Sequence, residues 1–197
     1  MPLPNRVRGN KRSKSKFLIV CEGVSTEKKY FIGLKRHLML PSMNIEPIGA
    51  GKSKQELVQH AIGARKRLKD VIATWVVFDK DSISNQDVEQ TIKFAKDNNI
   101  NVAFSNASFE LWLVMHFSEV KHDCPLDQKR LYKLIESHCK YTDYKNKGKS
   151  DAFLLEDIAG EYETALKNSD TLYSEQGNIH QNPYCNLNKL VQELKGI

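Results

Sequence analysis

Cysteine is scarce in this sequence, and the few cysteines are not paired. The 197 residues include four, with no Cys-x-x-Cys pair, at Cys21, Cys124, Cys139 and Cys185. This spacing fits neither a zinc knuckle nor a disulfide framework. Since disulfides are rare where thiols are kept reduced, the sequence predicts a cytoplasmic protein whose thiols are mostly buried or idle.

Long apolar runs are also missing. No window approaches the roughly 18 consecutive apolar residues of a transmembrane helix. The basic N-terminus lacks the apolar region of a secretory signal. By contrast, the 40% hydrophobic and 9% aromatic content is typical of a globular protein. We therefore expect one compact domain, or one with a helical appendage, and no contact with a membrane.

Charge is distributed unevenly along the chain. Residues 1–40 carry ten lysines and arginines against two acids, whereas residues 150–197 carry three lysines against eight acids. The basic front end suits nucleic-acid phosphates, and solubility is the alternative role of such a segment. Residues 1–16 have little apolar content to bury, so they are predicted to form a flexible basic arm.

Apolar runs alternate with helical patterns along much of the chain. Strands are predicted at 17–21, 44–49, 75–81 and 100–104, and helices at 25–40, 53–68, 85–98 and 109–117. Beyond them the pattern predicts helices only, at 127–138, 151–167 and 187–195. Because strands alternating with helices form right-handed crossovers, the predicted fold is α/β, with a parallel four-stranded sheet flanked by helices. Residues 17–117 would form this core, and residues 118–197 a helical C-terminal extension packed on it.

The third strand ends in two aspartates that are two positions apart. In Trp-Val-Val-Phe-Asp-Lys-Asp, an apolar run leads to Asp79 and Asp81, whose side chains would share one face of a strand. Two like charges about 4 Å apart repel by about 4 kcal/mol at an effective dielectric constant near 20. A divalent cation with oxygen ligands would remove this repulsion, and a simple polar turn is the alternative explanation.

Other polar residues are expected at the same edge of the sheet. Parallel sheets bind ligands at the carboxyl ends of their strands, where the first strand delivers Glu22. The fourth strand delivers Ser105 and Asn106, and Glu110 begins the next helix. Gly23 would leave space for a phosphate near the first helix N-terminus. Glu22 is predicted as a metal ligand or a general acid–base, with helix capping as the alternative. Carboxylates that hold Mg²⁺ or Mn²⁺ in this way support chemistry on a phosphodiester.

Four segments resemble a known family. A strand ending in Glu-Gly, followed by a later strand ending in Asp-x-Asp, resembles the TOPRIM domain of topoisomerases, primases and OLD-type nucleases. The segments VCEGVSTEKKYF, WVVFDKD and SNASFELWLVMHF, with NPYCNLNKLVQEL near the end, are similar to the RloB family, which also includes the AbiLii abortive-infection protein. The resemblance extends over about residues 16–197.

The resemblance implies a TOPRIM-like, metal-dependent nuclease that works beside an ATPase partner in phage defence. By position, Glu22, Asp79 and Asp81 would take the acid roles of TOPRIM, as catalytic groups and as metal ligands. The chain departs from the family pattern in loops and caps, at Lys28, Ala107 and Cys185.

Glu110 and His116 lie in the family's own motif, and their roles need separate weighing. They are six positions apart, about 600° of helical turn, so they need not share one site. An acid in an apolar helix is costly unless it is paired, so Glu110 is predicted as a catalytic residue, with a buried salt bridge as the alternative. Asn106 and His116 are secondary candidates, and a hydrogen-bonded core or interface histidine is the favoured interpretation of His116.

Contacts with nucleic acid are assigned to basic residues, namely Arg12, Lys14, Lys16, Lys28, Lys52 and Lys80. Lys80 would face away from the two aspartates, so it would contact a phosphate or simply be solvated. The loop 49–53 lacks the first glycine of a Walker loop, since Glu46 stands there, and phosphate of a nucleic acid is favoured over ATP. Tyr141 or Tyr144 in a lysine-rich loop could stack on bases, although a simple mobile loop is slightly favoured.

The leading prediction is therefore a Mg²⁺- or Mn²⁺-dependent phosphodiesterase acting on RNA or DNA, with a lean to RNA, as the effector of a bacterial defence system. Its predicted partners are nucleic acid and an ATPase of AAA or ABC type, and a homodimer is left open. One alternative is a non-catalytic cation-binding module that regulates or scaffolds the partner. A nucleotidyltransferase or primase-like enzyme is less favoured, because no nucleotide-specific loop is evident.

Overall fold

The protein forms one mostly parallel sheet with helices on both faces. The computed structural model describes residues 16–49, 53–175 and 178–196. Its strands pair in the order β2-β1-β3-β4-β5, and all neighbours are parallel except β5, which is antiparallel to β4. The strands are β1 (Lys16–Cys21), β2 (Met43–Pro47), β3 (Val71–Asp79), β4 (Asn101–Asn106) and β5 (Tyr184–Cys185). The predicted α/β class with a parallel sheet is confirmed.

Helices follow the first four strands, and a helical segment completes the chain. They are α1 (Thr26–His37), α2 (Lys54–Arg67), α3 (Asn85–Asp97), α4 (Glu110–Val114), α5 (Gln128–His138), α6 (Ala152–Gly160), α7 (Tyr162–Glu175) and α8 (Leu187–Lys195), with a 3₁₀ turn at Gly148–Ser150. The prediction of a single helix at 151–167 is wrong, because the helix is interrupted at Glu161, between α6 and α7. Gly160, a poor helix former, precedes this break.

The short strand β5 was not predicted. It pairs Cys185 with Ser105 and Tyr184 with Asn106, so a fifth strand covers the outer edge of β4. The next residue, Asn186, continues the contact with β4 through its side chain. This side chain accepts a hydrogen bond from Phe104 N at 2.7 Å and donates one to Val102 O at 3.2 Å. Two residues are too few to produce an alternating pattern, which is why the sequence gives no sign of this strand.

The sheet is buried on both faces. Odd-numbered side chains of β1, such as Ile19, pack into a cluster with α1 and with α4 to α8, whereas even-numbered ones, such as Val20, pack with α2 and α3. The first cluster contains residues from both the predicted core and the predicted extension. Within the described residues, no helix combines the length and the apolar character needed to cross a membrane.

The extension is held closely against the core where α6 packs on α1. At Gly33 of α1, a Cβ atom would lie 2.7 Å from the Cα atom of Glu156 in α6, which is closer than two such atoms can approach. Glycine is therefore required at this crossing, because it lets the two helix backbones approach. Arg36 and His37 of α1 add contacts to Glu156, as an ion pair and as a hydrogen bond to its carbonyl oxygen.

Candidate metal centre

The carboxyl ends of β1, β3 and β4 meet at one edge of the sheet. Asp79 is paired with Ser105 of β4, and Cys21 is paired with Val77 of β3. Glu22 continues this ladder for one more step, since its N–H donates to Val77 O at 3.0 Å. The backbone pairing therefore fixes Glu22 and Asp79 on neighbouring strands before any side-chain contact is considered.

Three carboxylates converge at this edge. Glu22, Asp79 and Asp81 each place one oxygen so that the three atoms lie within 4.8 Å of one another, close enough to ligate a single ion. We call these three residues the acidic cluster. Asp79 and Asp81 were expected to converge because they would share one face of a strand. This reason is wrong for Asp81, because β3 ends at Asp79 and Asp81 lies in a turn with φ +44°. Asp tolerates this left-handed conformation better than most residues, and the turn brings its carboxylate back toward Asp79.

Asp79 is a half-buried member of the acidic cluster. One of its oxygens, Oδ2, accepts a hydrogen bond from Phe109 N at 3.0 Å. Burial raises the pKa of Asp79 well above its usual range, and the nearby charges of Asp81 and Glu27 raise it further. A cation close to this carboxylate favours its charged form, and Lys54 lowers the pKa of Asp79 in this way.

A lysine already reaches into the acidic cluster. Lys54, the first residue of α2, is only 5% exposed, and its Nζ forms a close ion pair with Glu22 Oε2. The same Nζ lies 3.8 Å from Asp81 Oδ2. No feature of the sequence predicted this contact, because Lys54 belongs to a different βα unit from Glu22.

Glu27 is a second buried acid at the site, and sequence reasoning missed it. Its carboxyl packs against Gly23, where a Cβ atom would lie 1.8 Å from Glu27 Oε2. The space expected to receive a phosphate at Gly23 is therefore filled by Glu27. Burial raises the pKa of Glu27 to about 7, and the charges of Glu110 and Glu22 contribute in the same direction.

The burial of Glu27 could have been predicted from the spacing of apolar residues along α1. The apolar stripe of α1 runs through Tyr30, Phe31 and Leu34, and Glu27 lies one turn before it on the same face. In the structure Ser25 makes no side-chain cap, and its hydroxyl donates to Lys149 O at 3.1 Å.

Glu110 is buried beside the acidic cluster in an ion pair. It is 2% exposed, its Oε1 lies 3.1 Å from Lys149 Nζ, and its Oε2 accepts a hydrogen bond from Ser108 Oγ at 2.7 Å. Lys149 also donates to the hydroxyl of Tyr132 at 3.2 Å. This is the buried salt bridge that the sequence left open as the alternative, and a catalytic role for Glu110 stays a prediction.

The two secondary candidates are both built into the protein interior. Asn106 donates from its side chain to the carbonyl oxygens of His180 and Gln181, at 3.1 and 2.9 Å. His116 is 2% exposed, with Nδ1 2.9 Å from Trp112 O and Nε2 3.1 Å from the hydroxyl of Tyr30. Burial lowers the pKa of His116 to about 4, so its ring is neutral at physiological pH.

The residues predicted to contact nucleic acid lie in several separate parts of the chain. Lys28 lies on α1 and is half-buried, and Lys80 donates to the side chain of Asn85. Lys16 begins β1 and so lies at the opposite edge of the sheet from the acidic cluster. Arg12, Lys14 and Lys52 lie outside the described residues.

The less favoured alternative, in which Tyr144 stacks on bases, does not agree with the structure. Its side chain is fully buried, and its ring packs against Tyr132 with centroids 5.5 Å apart. Tyr141 is partly exposed, but its hydroxyl donates to Asp151 at 2.9 Å. Among four lysines, these tyrosines resembled a stacking surface in sequence, whereas the chain uses Tyr144 to fill its core.

An open depression lies next to the acidic cluster. It has a volume of about 490 Å³ and is lined by Asp81, Ser82, Ala107, Ser108 and Gln128. Its lining is polar and small, which suits a charged ligand better than an apolar one. The depression therefore leaves the Asp81 side of the cluster accessible to solvent.

Comparisons with known proteins give one match. The model of the family described as RloB-like protein matches residues 17–194, a segment that contains the whole acidic cluster together with Glu27, Lys54 and Glu110. No curated protein and no solved structure matches the chain.

Proposed function

The chain belongs to the RloB-like family, and we propose that it is a Mg²⁺- or Mn²⁺-dependent nuclease of TOPRIM type that cleaves RNA or DNA. The single observation that carries this proposal is the acidic cluster, in which oxygens from Glu22, Asp79 and Asp81 lie within 4.8 Å of one another. Three carboxylates at the carboxyl end of a parallel sheet form a hard-oxygen ligand set of the kind that magnesium and manganese prefer.

The residues of the site fit such an ion. A divalent cation would lower the raised pKa of the half-buried Asp79 and would offset the repulsion between Asp79 and Asp81. When bound, the ion would stabilise the charge that develops on a phosphodiester during cleavage. Glu22, Asp79 and Asp81 would hold it, and the depression beside Asp81 would receive the nucleic acid.

Proton transfer is assigned to Glu27 in this proposal. With a pKa raised to about 7, its carboxyl exists in both protonation states at neutral pH, which suits a general acid or base. Glu22 would then serve as a ligand only. Glu110 is paired with Lys149 and accepts a hydrogen bond from Ser108, so it would stabilise the structure around the acidic cluster.

The biological setting follows from the resemblance to the family. We propose that the nuclease acts as an effector of bacterial anti-phage defence, in the cytoplasm, beside an AAA- or ABC-type ATPase. The basic segment before residue 17 favours a polyanionic substrate, and RNA is the one we test first.

Cleavage assays with matched variants test the proposal. Purified protein, with and without an ATPase encoded nearby, is incubated with labelled tRNA, single-stranded DNA and duplex DNA in Mn²⁺ or in EDTA. We expect cleavage in Mn²⁺ only, and Glu22→Gln or Asp79→Asn should reduce its rate by about a hundredfold or more. Asp97→Asn, which removes an exposed acid at the end of α3, is the control and should cleave like the parent. Full activity of both cluster variants would refute the proposal.

A second function is favoured by one observation, the contact of Lys54 with the acidic cluster. If that lysine permanently neutralises the acids, the protein would be a non-catalytic scaffold or regulator of its ATPase partner. A protein that binds the partner but cleaves none of the three substrates would support this reading. A primase-like nucleotidyltransferase is the third candidate, and incorporation of labelled nucleotides would reveal it.

A further inference from the structure

We propose that Lys54 is a built-in counter-cation of the acidic cluster, which competes with the divalent ion for Glu22 and is displaced from it when the ion binds. The inference rests on the metal site of the proposed function. It concerns a different property, namely how tightly the site binds its ion and which positive group occupies the site before the ion binds.

The position of Lys54 is fixed by the start of α2. Ser53 caps this helix reciprocally with Glu56, since Ser53 Oγ accepts from Glu56 N at 3.2 Å and Ser53 N donates to Glu56 Oε2 at 2.6 Å. This capping box fixes the first turn of the helix and directs the side chain of Lys54 inward. On its way the side chain passes the ring of Phe78, with Nζ 5.7 Å from the ring centroid.

A lysine with 5% exposure needs a strong reason to be buried. Here the reason is its ion pair with Glu22 and its approach to 3.8 Å from Asp81. Two of the three cluster acids thus have a positive charge beside them, whereas Asp79 depends on the amide of Phe109. Lys54 therefore stabilises a group of acids that would otherwise repel one another.

The same contact sets a condition on metal binding. A divalent ion held by Glu22 would lie next to the ammonium group, and two positive charges at that distance repel. The ion and Lys54 therefore cannot both hold Glu22. The apparent affinity for the ion equals its intrinsic affinity multiplied by the fraction of time that Glu22 is free of Lys54. Lys54 would thus raise the metal concentration at which the site fills.

A charge-matched pair of variants tests this competition. Lys54→Met removes the counter-cation, and Lys66→Met removes an exposed lysine from the same helix as the control. Mn²⁺ affinity is measured for both by isothermal titration calorimetry and by the electron paramagnetic resonance signal of free Mn²⁺. We expect Lys54→Met to bind Mn²⁺ about tenfold more tightly than the parent, which corresponds to a site occupied by Lys54 for roughly nine-tenths of the time. Lys66→Met should bind like the parent.

A measurement on the parent protein avoids dependence on the folding of the variant. Acetylation of lysines by a small activated ester, mapped by mass spectrometry, reports how accessible each amine is. We expect the labelling rate of Lys54 to rise severalfold when Mn²⁺ is added, while the rate at Lys66 stays constant. An unchanged rate at Lys54, with Mn²⁺ bound, would overturn the displacement.

The outcomes separate this inference from the proposed function. If the parent binds Mn²⁺ and Lys54→Met binds it equally or more weakly, the competition is refuted and the metal site stands. If neither the parent nor the variant binds Mn²⁺, the metal site fails, and the competition fails with it. Tighter binding by Lys54→Met with no cleavage by the parent supports the competition at a non-catalytic cation site.

Discussion

Glu27 illustrates how much of the site chemistry depends on a single buried side chain. It is 8% exposed, it packs on Gly23, and its neighbours include the acids Glu110 and Glu22. Burial makes its charged form costly, so the pKa of this carboxyl rises to about 7 from 4.5. The protein retains this group at a cost in stability, which is typical of residues kept for function.

The pH dependence of stability provides a test of Glu27. Between pH 4.5 and about 7 the folded protein holds a proton on Glu27 that the unfolded chain releases, so the free energy of unfolding must fall as pH rises through this window. The loss attributable to this group amounts to about 3 kcal/mol. We therefore expect Glu27→Gln to gain stability relative to the parent as pH rises from 5 to 8, measured by urea unfolding in EDTA.

Glu119→Gln, which changes an exposed acid, serves as the control. The charge of Glu27 also raises the pKa of Asp79, so the comparison reports the loss of Glu27 together with its effect on Asp79. A difference between Glu27→Gln and the parent that stays constant from pH 5 to 8 would show that Glu27 titrates normally.

At the scale of elements, the crossing of α1 and α6 holds the extension to the core. Gly33 permits it, because any Cβ atom there would meet the backbone of Glu156 at 2.7 Å. A backbone cannot move away as a flexible side chain can, so the two helices would have to separate. The position of α6 matters to the site, since the 3₁₀ turn just before it carries Lys149, the ion-pair partner of Glu110.

Two glycine-to-alanine variants on different helices test this crossing. Alanine is a better helix former than glycine by about 1 kcal/mol, and Gly63→Ala on α2 should gain up to this amount, because its Cβ would meet only Arg67 Nη1 at 3.7 Å. For Gly33→Ala we expect the opposite sign, a loss of about 1–3 kcal/mol from overpacking. Urea unfolding of both variants measures the difference, and stabilisation by Gly33→Ala would contradict the close approach.

The alternation of strands and helices up to α4 was predictable, because each element buries a long, regular apolar pattern. Glu22 and Asp79 were predictable as neighbours for the same reason, since parallel strands end at one edge. Contacts between distant segments were not. The sequence contains no local sign that Lys54 reaches Glu22, that Tyr144 turns inward, or that two residues near 185 pair with β4.

At the scale of the whole molecule, the core and the extension share a single hydrophobic cluster. Phe31 and Trp112 from the first 117 residues pack in the same cluster as Ile135, Leu155 and Leu190 from the rest. A segment cut at residue 117 would expose these side chains to water, at a cost of about 1.5–3 kcal/mol for each large apolar group. The two parts are therefore interdependent in stability.

We expect the full chain to unfold in one cooperative transition, with coincident curves from tryptophan fluorescence and far-ultraviolet circular dichroism. Residues 1–117 produced alone should lack cooperative unfolding and should show the poorly dispersed amide spectrum of an unfolded chain. A well-dispersed spectrum of that fragment would mean that the sheet and α1 to α4 form an independent domain.

The antiparallel partner of β4 lies far along the chain, with Cys185 eighty positions after Ser105. A ribosome that adds about 5–20 residues per second needs roughly 4 to 16 seconds to make that stretch. Throughout this interval the outer edge of β4 has no neighbour, and unpaired strand edges are where nascent chains aggregate. The order of translation therefore leaves this edge open to pairing with other chains until residues 184 and 185 have been made.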